Sequence, residues 1–509
     1  MTDPTLGLPL LSLLLFTLPA GAALIWLVPD PGRARWIALA AALVDLGIAV
    51  AALASFDPAN GDFQLIERHT WIPSLNIHYV LGVDGLTVAF LPLTVLLVIG
   101  VILASWTSVR TMPRLYYTLL LLLESTTIGV FCALDTVFFF LFWELTLIPV
   151  FFLVSLWGVG PNRRFAAVKY TLFMLVGGVP LLFAFILLAF NHAEVVGVPV
   201  PAGLSFDYQT LRATPLPDGL ELTVFLLLLA GFAVKTPVFP LHTWLPVLAS
   251  DGPVSVAALM TGLKLGAYGL IRFAVPLAPD AATDLHWLLA GLGVLGILYG
   301  ALGALAQTNL RRMLAFSSIS HVGLVVLGIA SLSIQGLQGA VFQLLNFTLV
   351  AGGLFLLAGF LHHRTGTTEV TSLGGVAQTM PLLAGGFLIL GLASLGVPGT
   401  SGFPAELLLI LSALASHTGA GLAALFGAVL GAGYFLGLYR RAFLGPVTAP
   451  AVAEALDLRR RELAVAGAAC LLVLTLGLFP QGVLDLTRTA AERWVAHLPA
   501  AAVADIPGP

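Results

Sequence analysis

Apolar residues in this chain fall into long blocks near 6–28, 36–56, 85–106, 115–134, 136–157, 165–190, 222–247, 253–275, 285–306, 313–332, 336–361, 381–415, 419–439 and 463–481. A helix needs about 20 apolar residues to cross about 30 Å of hydrocarbon, and in lipid it must satisfy its backbone hydrogen bonds internally. The blocks therefore predict an all-α polytopic membrane protein of about fourteen transmembrane helices. The polar connections at 57–84 and 191–220 are too short for a domain, and 71–85 is the best place for a short hairpin outside the membrane. No basic residue precedes the first block and no small-residue cleavage site follows it, so 6–28 reads as a retained span rather than a signal peptide.

Two blocks are longer than a span needs and are interrupted. One, 222–247, holds Pro237, Pro240 and Pro246; the other, 381–415, holds Pro398, Gly399, Gly402 and Pro404. Paired broken helices in corresponding halves point to inverted repeats with an ion path near the bilayer midplane. The two lie five blocks apart, an odd offset that gives opposite topologies, so two inverted five-helix repeats are expected. The chain then divides into 1–110 with helices 1–3, 111–280 as the first repeat, 281–445 as the second, and 446–509 with a cytoplasmic loop, helix 14 and tail. Odd-numbered loops carry fifteen Lys and Arg residues, against five in the even loops and tail. By the positive-inside rule both termini lie on the outer side.

Composition narrows the function. Of 509 residues 59% are hydrophobic and 9% charged, against about 25% charged in soluble proteins, which excludes a soluble fold. Net charge is -3 with no basic stripe, so nucleic acid is not a partner. Cys132 and Cys470 stand alone, which excludes a CxxC metal site or an iron–sulfur cluster on this chain, and no Gly-rich phosphate loop follows a strand.

Setting loop charges aside leaves Asp45, Glu124, Glu144, Lys235, Lys264 and Glu406 inside apolar blocks. Two of the three lysines in the chain are among them, although lysine is almost never fully buried without a partner. Glu144, in an aromatic stretch ending at Pro149, needs a cation or a proton, and Lys235 is the expected counter-ion. Lys264 and Glu406 extend this to a row of Glu, Lys, Lys and Glu. A buried pair can also merely fix helix register, but such pairs stabilise poorly, and ionisable groups at helix breaks favour transport. His242, His321 and Glu124 are possible relays, each equally open to a structural reading, while Asp45 reads as packing or interface.

Specific motifs then converge. Phe142-Trp-Glu144 with Pro149, Phe232-Ala-Val-Lys235-Thr-Pro-Val-Phe-Pro-Leu-His242-Thr-Trp-Leu-Pro246, Leu263-Lys264-Leu-Gly-Ala-Tyr-Gly, Ala306-Gln-Thr-Asn-Leu-Arg-Arg through His321, and Pro398-Gly-Thr-Ser-Gly-Phe closely resemble the antiporter-like subunits of respiratory complex I, of the chain M (subunit 4) type. The resemblance covers nearly the whole length. It implies proton translocation through Glu144, Lys235, Lys264 and Glu406 in an NADH:quinone oxidoreductase of the cell inner (plasma) membrane. No cofactor is implied on this chain; flavin, iron–sulfur clusters and quinone are expected on partner subunits, which include homologous antiporter-like chains. Alternatives are a subunit of a multi-subunit cation/proton antiporter, or an energy-coupling subunit for inorganic-carbon uptake or a membrane hydrogenase. The sequence departs from the family pattern at Ala249 and Phe347, where histidines are usual, and at Ala405, where glycine is usual. Asp251, Asn346 or water would then complete the relay.

Overall fold

The computed structural model describes residues 8–499, so the first two residues of the 6–28 block and the last ten of the tail lie outside the described residues. Every apolar block is occupied by helix: α1 (Leu10–Leu27), α2 (Ala34–Ala54), α3 (Phe90–Ser105), α4 (Pro113–Cys132), α5 (Thr136–Leu145), α6 (Leu147–Trp157), α7 (Arg163–Val196), α8 (Asp218–Lys235), α9 (Trp244–Asp251), α10 (Val254–Gly262), α11 (Leu265–Gly269), α12 (His286–Leu305), α13 (Leu310–Ala330), α14 (Ile334–Thr365), α15 (Pro381–Ser394), α16 (Gly402–Ser416), α17 (Thr418–Phe443) and α18 (Arg460–Leu478). A further helix, α19 (Gln481–Ala496), follows where only a tail was expected. Among the described residues, eleven helical stretches are long and apolar enough to cross a membrane, and α3, α15 and α16 are shorter apolar helices.

The first long polar connection forms a two-stranded antiparallel hairpin, β1 (Gln64–Ile72) and β2 (Ile77–Val83), which begins earlier than residue 71. Asp135 fixes it to the bundle. One carboxylate oxygen caps α5 by accepting from the Val137 and Phe138 amides at 3.0 and 3.1 Å, and the other accepts from the His78 amide at 3.1 Å.

Both expected helix breaks are present. The first lies between α8 and α9 and contains Pro237 and Pro240. Pro246 does not contribute to it, because it falls in the first turn of α9, where no amide donor is needed. The second lies between α15 and α16, with Gly396 and Gly399 at φ of +62° and +89°, conformations that glycine adopts without a Cβ clash. Phe403 to Glu406 already belong to the start of α16. Two further interruptions occur: Thr146 separates α5 from α6, and Leu263 with Lys264 separates α10 from α11. After α11 the chain makes a π turn, Leu270–Ala274, which carries Arg272.

α13 and α14 are buried on most faces and form the centre of the second half. α12 seats against α13 through small residues: a Cβ on Gly296 would stand 3.1 Å from the Gly323 Cα, so the two backbones nearly touch. This contact places His321 one turn from a rigid helix crossing.

Candidate functional site

Lys235 is the last residue of α8, so its ammonium sits at the negative end of a half-helix that stops inside the protein. Its Nζ donates to the Trp143 carbonyl at 3.1 Å and to the Thr146 hydroxyl at 2.8 Å, and lies 4.0 Å from the centre of the Trp143 ring. Both acceptors come from the junction of α5 and α6. There the helix is interrupted at Thr146, between α5 and α6. Glu144 stands at the same junction but makes no ion pair with Lys235 within 4.0 Å; its Oε1 is buried without a partner beside Gly178 of α7. The expected pair is therefore a near neighbour arrangement in which Thr146 and Trp143 hold the lysine.

Lys264 is 4% exposed and occupies the break after α10, again at a helix C-terminus. Its Nζ has no hydrogen-bond partner and lies 5.2 Å from the centre of the Phe347 ring on α14. The same ring stands near His321, with ring centres 6.2 Å apart and planes nearly perpendicular. His321 Nε2 stands 3.5 Å from Glu406 Oε1. Its two ring nitrogens also face the Ser317 and Ser394 carbonyls at 2.8 and 2.7 Å. Glu406 lies near the N-terminus of α16, where the helix dipole favours a carboxylate. A cavity of about 30 Å³, room for a single water, opens among Ser320, His321, Ser394, Glu406 and Tyr434.

The structure thus brings Lys264, Phe347, His321 and Glu406 together by successive pairwise approaches, while Lys235, Thr146 and Glu144 gather at the α5–α6 junction. Asn346, beside Phe347, accepts from the Ser401 hydroxyl at 2.5 Å and so ties α14 to the second break. His242 lies in the first break, 3% exposed, stacked on Phe239 and edge-on to Tyr299, with Nδ1 unpartnered. Asp251 is not brought to the row: its side chain accepts from the Asn162 amide at 3.1 Å and its carbonyl from Gly160 at 3.1 Å, which anchors the loop before α7. Glu124 on α4 is buried with Asp45 on the neighbouring α2, and all four carboxyl oxygens lack partners. Ala249 is fully buried in α9.

Sequence reasoning missed one buried charge pair. Arg272, counted among the outer-loop cations, is 4% exposed and donates to Asp84 Oδ1 at 2.5 Å. Its guanidinium also lies over Phe63, Tyr208 and Tyr268 at 5.0, 6.0 and 5.8 Å. The signal was an arginine in the apolar stretch Leu270–Ala274, with its partner in the segment before α3.

A helical membrane bundle whose helices break at buried lysines, with a buried glutamate in the helix after a further break, is the architecture of an ion-translocating membrane protein. The chain belongs to the NADH:quinone oxidoreductase/Mrp antiporter transmembrane family, which matches residues 133–431. It is 40% identical over 505 residues to an NAD(P)H-quinone oxidoreductase chain 4 1 of Synechococcus elongatus, covering 96% of this chain and 92% of that one. It is 36% identical over 501 residues to the NADH-quinone oxidoreductase subunit M of Rhodobacter capsulatus, covering 96% of both. Its fold matches a chain of respiratory complex I from Thermus thermophilus with a TM-score of 0.87 and 31% identity, over 96% of this chain and all of that one.

Proposed function

We infer that this chain is the proton-translocating membrane subunit, of the subunit M or chain 4 type, of an NADH:quinone oxidoreductase. The observation that carries the reading is the placement of Lys235 and Lys264 at two helix breaks and of Glu406 in the second turn of α16, just past a third, in a chain similar over nearly its full length to subunits of that name. Electron transfer belongs to partner chains that hold flavin, iron–sulfur clusters and quinone; this chain contributes a path for protons.

In this path Lys235 is the switch. Its ammonium is held by a carbonyl and a hydroxyl, and a shift of the α5–α6 junction exchanges these for the Glu144 carboxylate. Pairing with Glu144 favours the charged lysine, and separation in an apolar site favours the neutral amine, so the movement drives a proton onward. Lys264 receives it, and His321 with Glu406 takes it to the far end. Phe347 separates the two stations and leaves charge transfer across its ring to water beside Asn346 and Ser401.

The repeats at 111–280 and 281–445 are inverted copies, and the protein resides in the cell inner membrane with both termini on its outer side. α7 exposes Leu172, Leu175, Val176, Val179 and Phe183 to lipid or to a homologous antiporter-like chain, next to Glu144. A cation/proton antiporter complex is the second reading, because the family spans both kinds of assembly. Purifying the native complex separates them. The expected result is NADH-dependent quinone reduction coupled to proton uptake, with flavin and iron–sulfur chains present. A complex without such chains that exchanges sodium for protons overturns the first reading.

A further inference from the structure

A cavity of about 170 Å³ lies at the opposite side of the bundle from the hairpin, between the ends of α3, α4, α10 and α14 and the start of α18. Its walls include Ser105, Tyr116, Ser255, His362, His363 and Glu462. The neighbouring connections carry Arg110, Arg114, Arg311, Arg312 and Arg459 to Arg461, which marks this as the inner side. Three of the walls form a continuous hydroxyl chain. Ser105 Oγ is 2.8 Å from Tyr116 Oη, and Tyr116 donates to Ser255 Oγ at 2.6 Å. All three side chains are buried, and Tyr116 is 1% exposed. Ser105 has two acceptors in reach, the Tyr116 oxygen and the Val101 carbonyl at 2.7 Å, so its single proton can point either way. A chain whose members can reverse their donor direction passes a proton by successive hops and then turns back.

The chain is placed to feed the row. Ser255 is in the first turn of α10, and the same short helix ends at the break that holds Lys264, about 13 Å further along at 1.5 Å per residue. Thr348 of α14 donates to the Gly262 carbonyl at 3.3 Å, directly before that break. At the mouth, His363 is exposed and His362 half-buried, on the last turn of α14. Arg364, which engages Glu462, and Arg459 flank them, so Glu462 is already held and the imidazoles are the groups free to exchange protons with the inner solvent.

We propose that this cavity is the inner-side proton uptake port of the chain, in which Tyr116 passes protons between Ser105 and Ser255 toward Lys264. The inference rests on the proton-translocating reading above. The step balances without any redox partner once water is its carrier at both ends: Ser255 Oγ gains the Tyr116 proton and gives its own to a water that carries it along α10 to Lys264, Tyr116 is refilled from Ser105, and Ser105 from cavity water protonated at His362 or His363.

The test uses the native complex in sealed inverted membrane vesicles, comparing Tyr116→Phe, Ser255→Ala, Ser255→Thr and Lys235→Ala. Tyr116→Phe keeps the ring that stands edge-on to Tyr117 and Trp157, with centres 5.2 Å away in both cases. Tyr116→Phe and Ser255→Ala are expected to lower NADH-driven proton uptake several-fold, with NADH oxidation by an artificial acceptor unchanged. Ser255→Thr, which keeps the hydroxyl, is expected to restore uptake; a merely structural serine would tolerate alanine better than the bulkier threonine. Wild-type uptake in both Tyr116→Phe and Ser255→Ala, with uptake lost in Lys235→Ala, overturns the port and leaves the function intact. Wild-type uptake in Lys235→Ala overturns the function itself. Should Tyr116→Phe fail to assemble, the Ser255 pair decides alone.

Discussion

Lys264→Met is expected to abolish NADH-driven proton uptake while making the assembled complex more heat-stable. Lys264 Nζ is buried without a hydrogen-bond partner, and its nearest notable neighbour is the Phe347 ring. An unsatisfied buried polar group costs about 1–3 kcal/mol, so methionine, of similar length and without the amine, should recover about that amount. Proteins retain such costly groups where function needs them. Uptake and the thermal midpoint, measured on the same preparation, should therefore move in opposite directions. A stabilised complex that still translocates protons at the wild-type rate would show that Lys264 is not a station on the path.

Arg272→Leu should have the largest structural effect, and in the opposite sense. The guanidinium satisfies Asp84 and three aromatic faces deep in the bundle, and its removal strands a buried carboxylate. Breaking a buried ion pair from one side costs about 3–5 kcal/mol, whereas replacing both members with apolar residues is often neutral. Arg272→Leu alone should sharply reduce the amount of assembled complex, and Arg272→Leu with Asp84→Leu should recover most of it. Equal loss in the single and double variants would instead assign Arg272 a role apart from Asp84. Assembly measured by native gel, with activity per assembled complex, separates the two outcomes.

These effects trace how much the sequence disclosed. Two helix breaks were legible because proline and glycine announce them, and the ionisable groups were legible because hydrocarbon makes them rare. The break at Lys264 was not, since no proline interrupts 254–269 and Gly262, which ends the helix, is one of several glycines in an otherwise continuous apolar run. Pro246 misled in the other direction, since proline is harmless in a first turn. α19 escaped because its buried side, Val483, Thr487, Ala490, Ala491 and Trp494, follows helical spacing in a polar segment too mixed to read as a span. Arg272 escaped because its partner lies 188 residues away, a distance over which local pattern says nothing.

The row itself was legible as a set of residues and not as a geometry. Nothing in the spacing shows that Thr146 and the Trp143 carbonyl, rather than Glu144, hold Lys235, or that His321 stands beside Glu406. Both facts depend on helices distant in sequence. The departures at Ala249 and Phe347 take on physical meaning here: one is a closely packed helix face, the other an aromatic ring that both Lys264 and His321 approach.

Lys235 offers the most direct test of proton passage through the row. Its removal in Lys235→Ala leaves Thr146 bonded to the Trp143 carbonyl at 2.8 Å, so the α5–α6 junction keeps its structure and assembly should persist. The measurement is the number of protons taken up per NADH oxidised in sealed inverted vesicles, with subunit composition checked on the same sample. Passage through the row predicts uptake by this chain lost in a fully assembled Lys235→Ala complex; a wild-type ratio in that complex would contradict it.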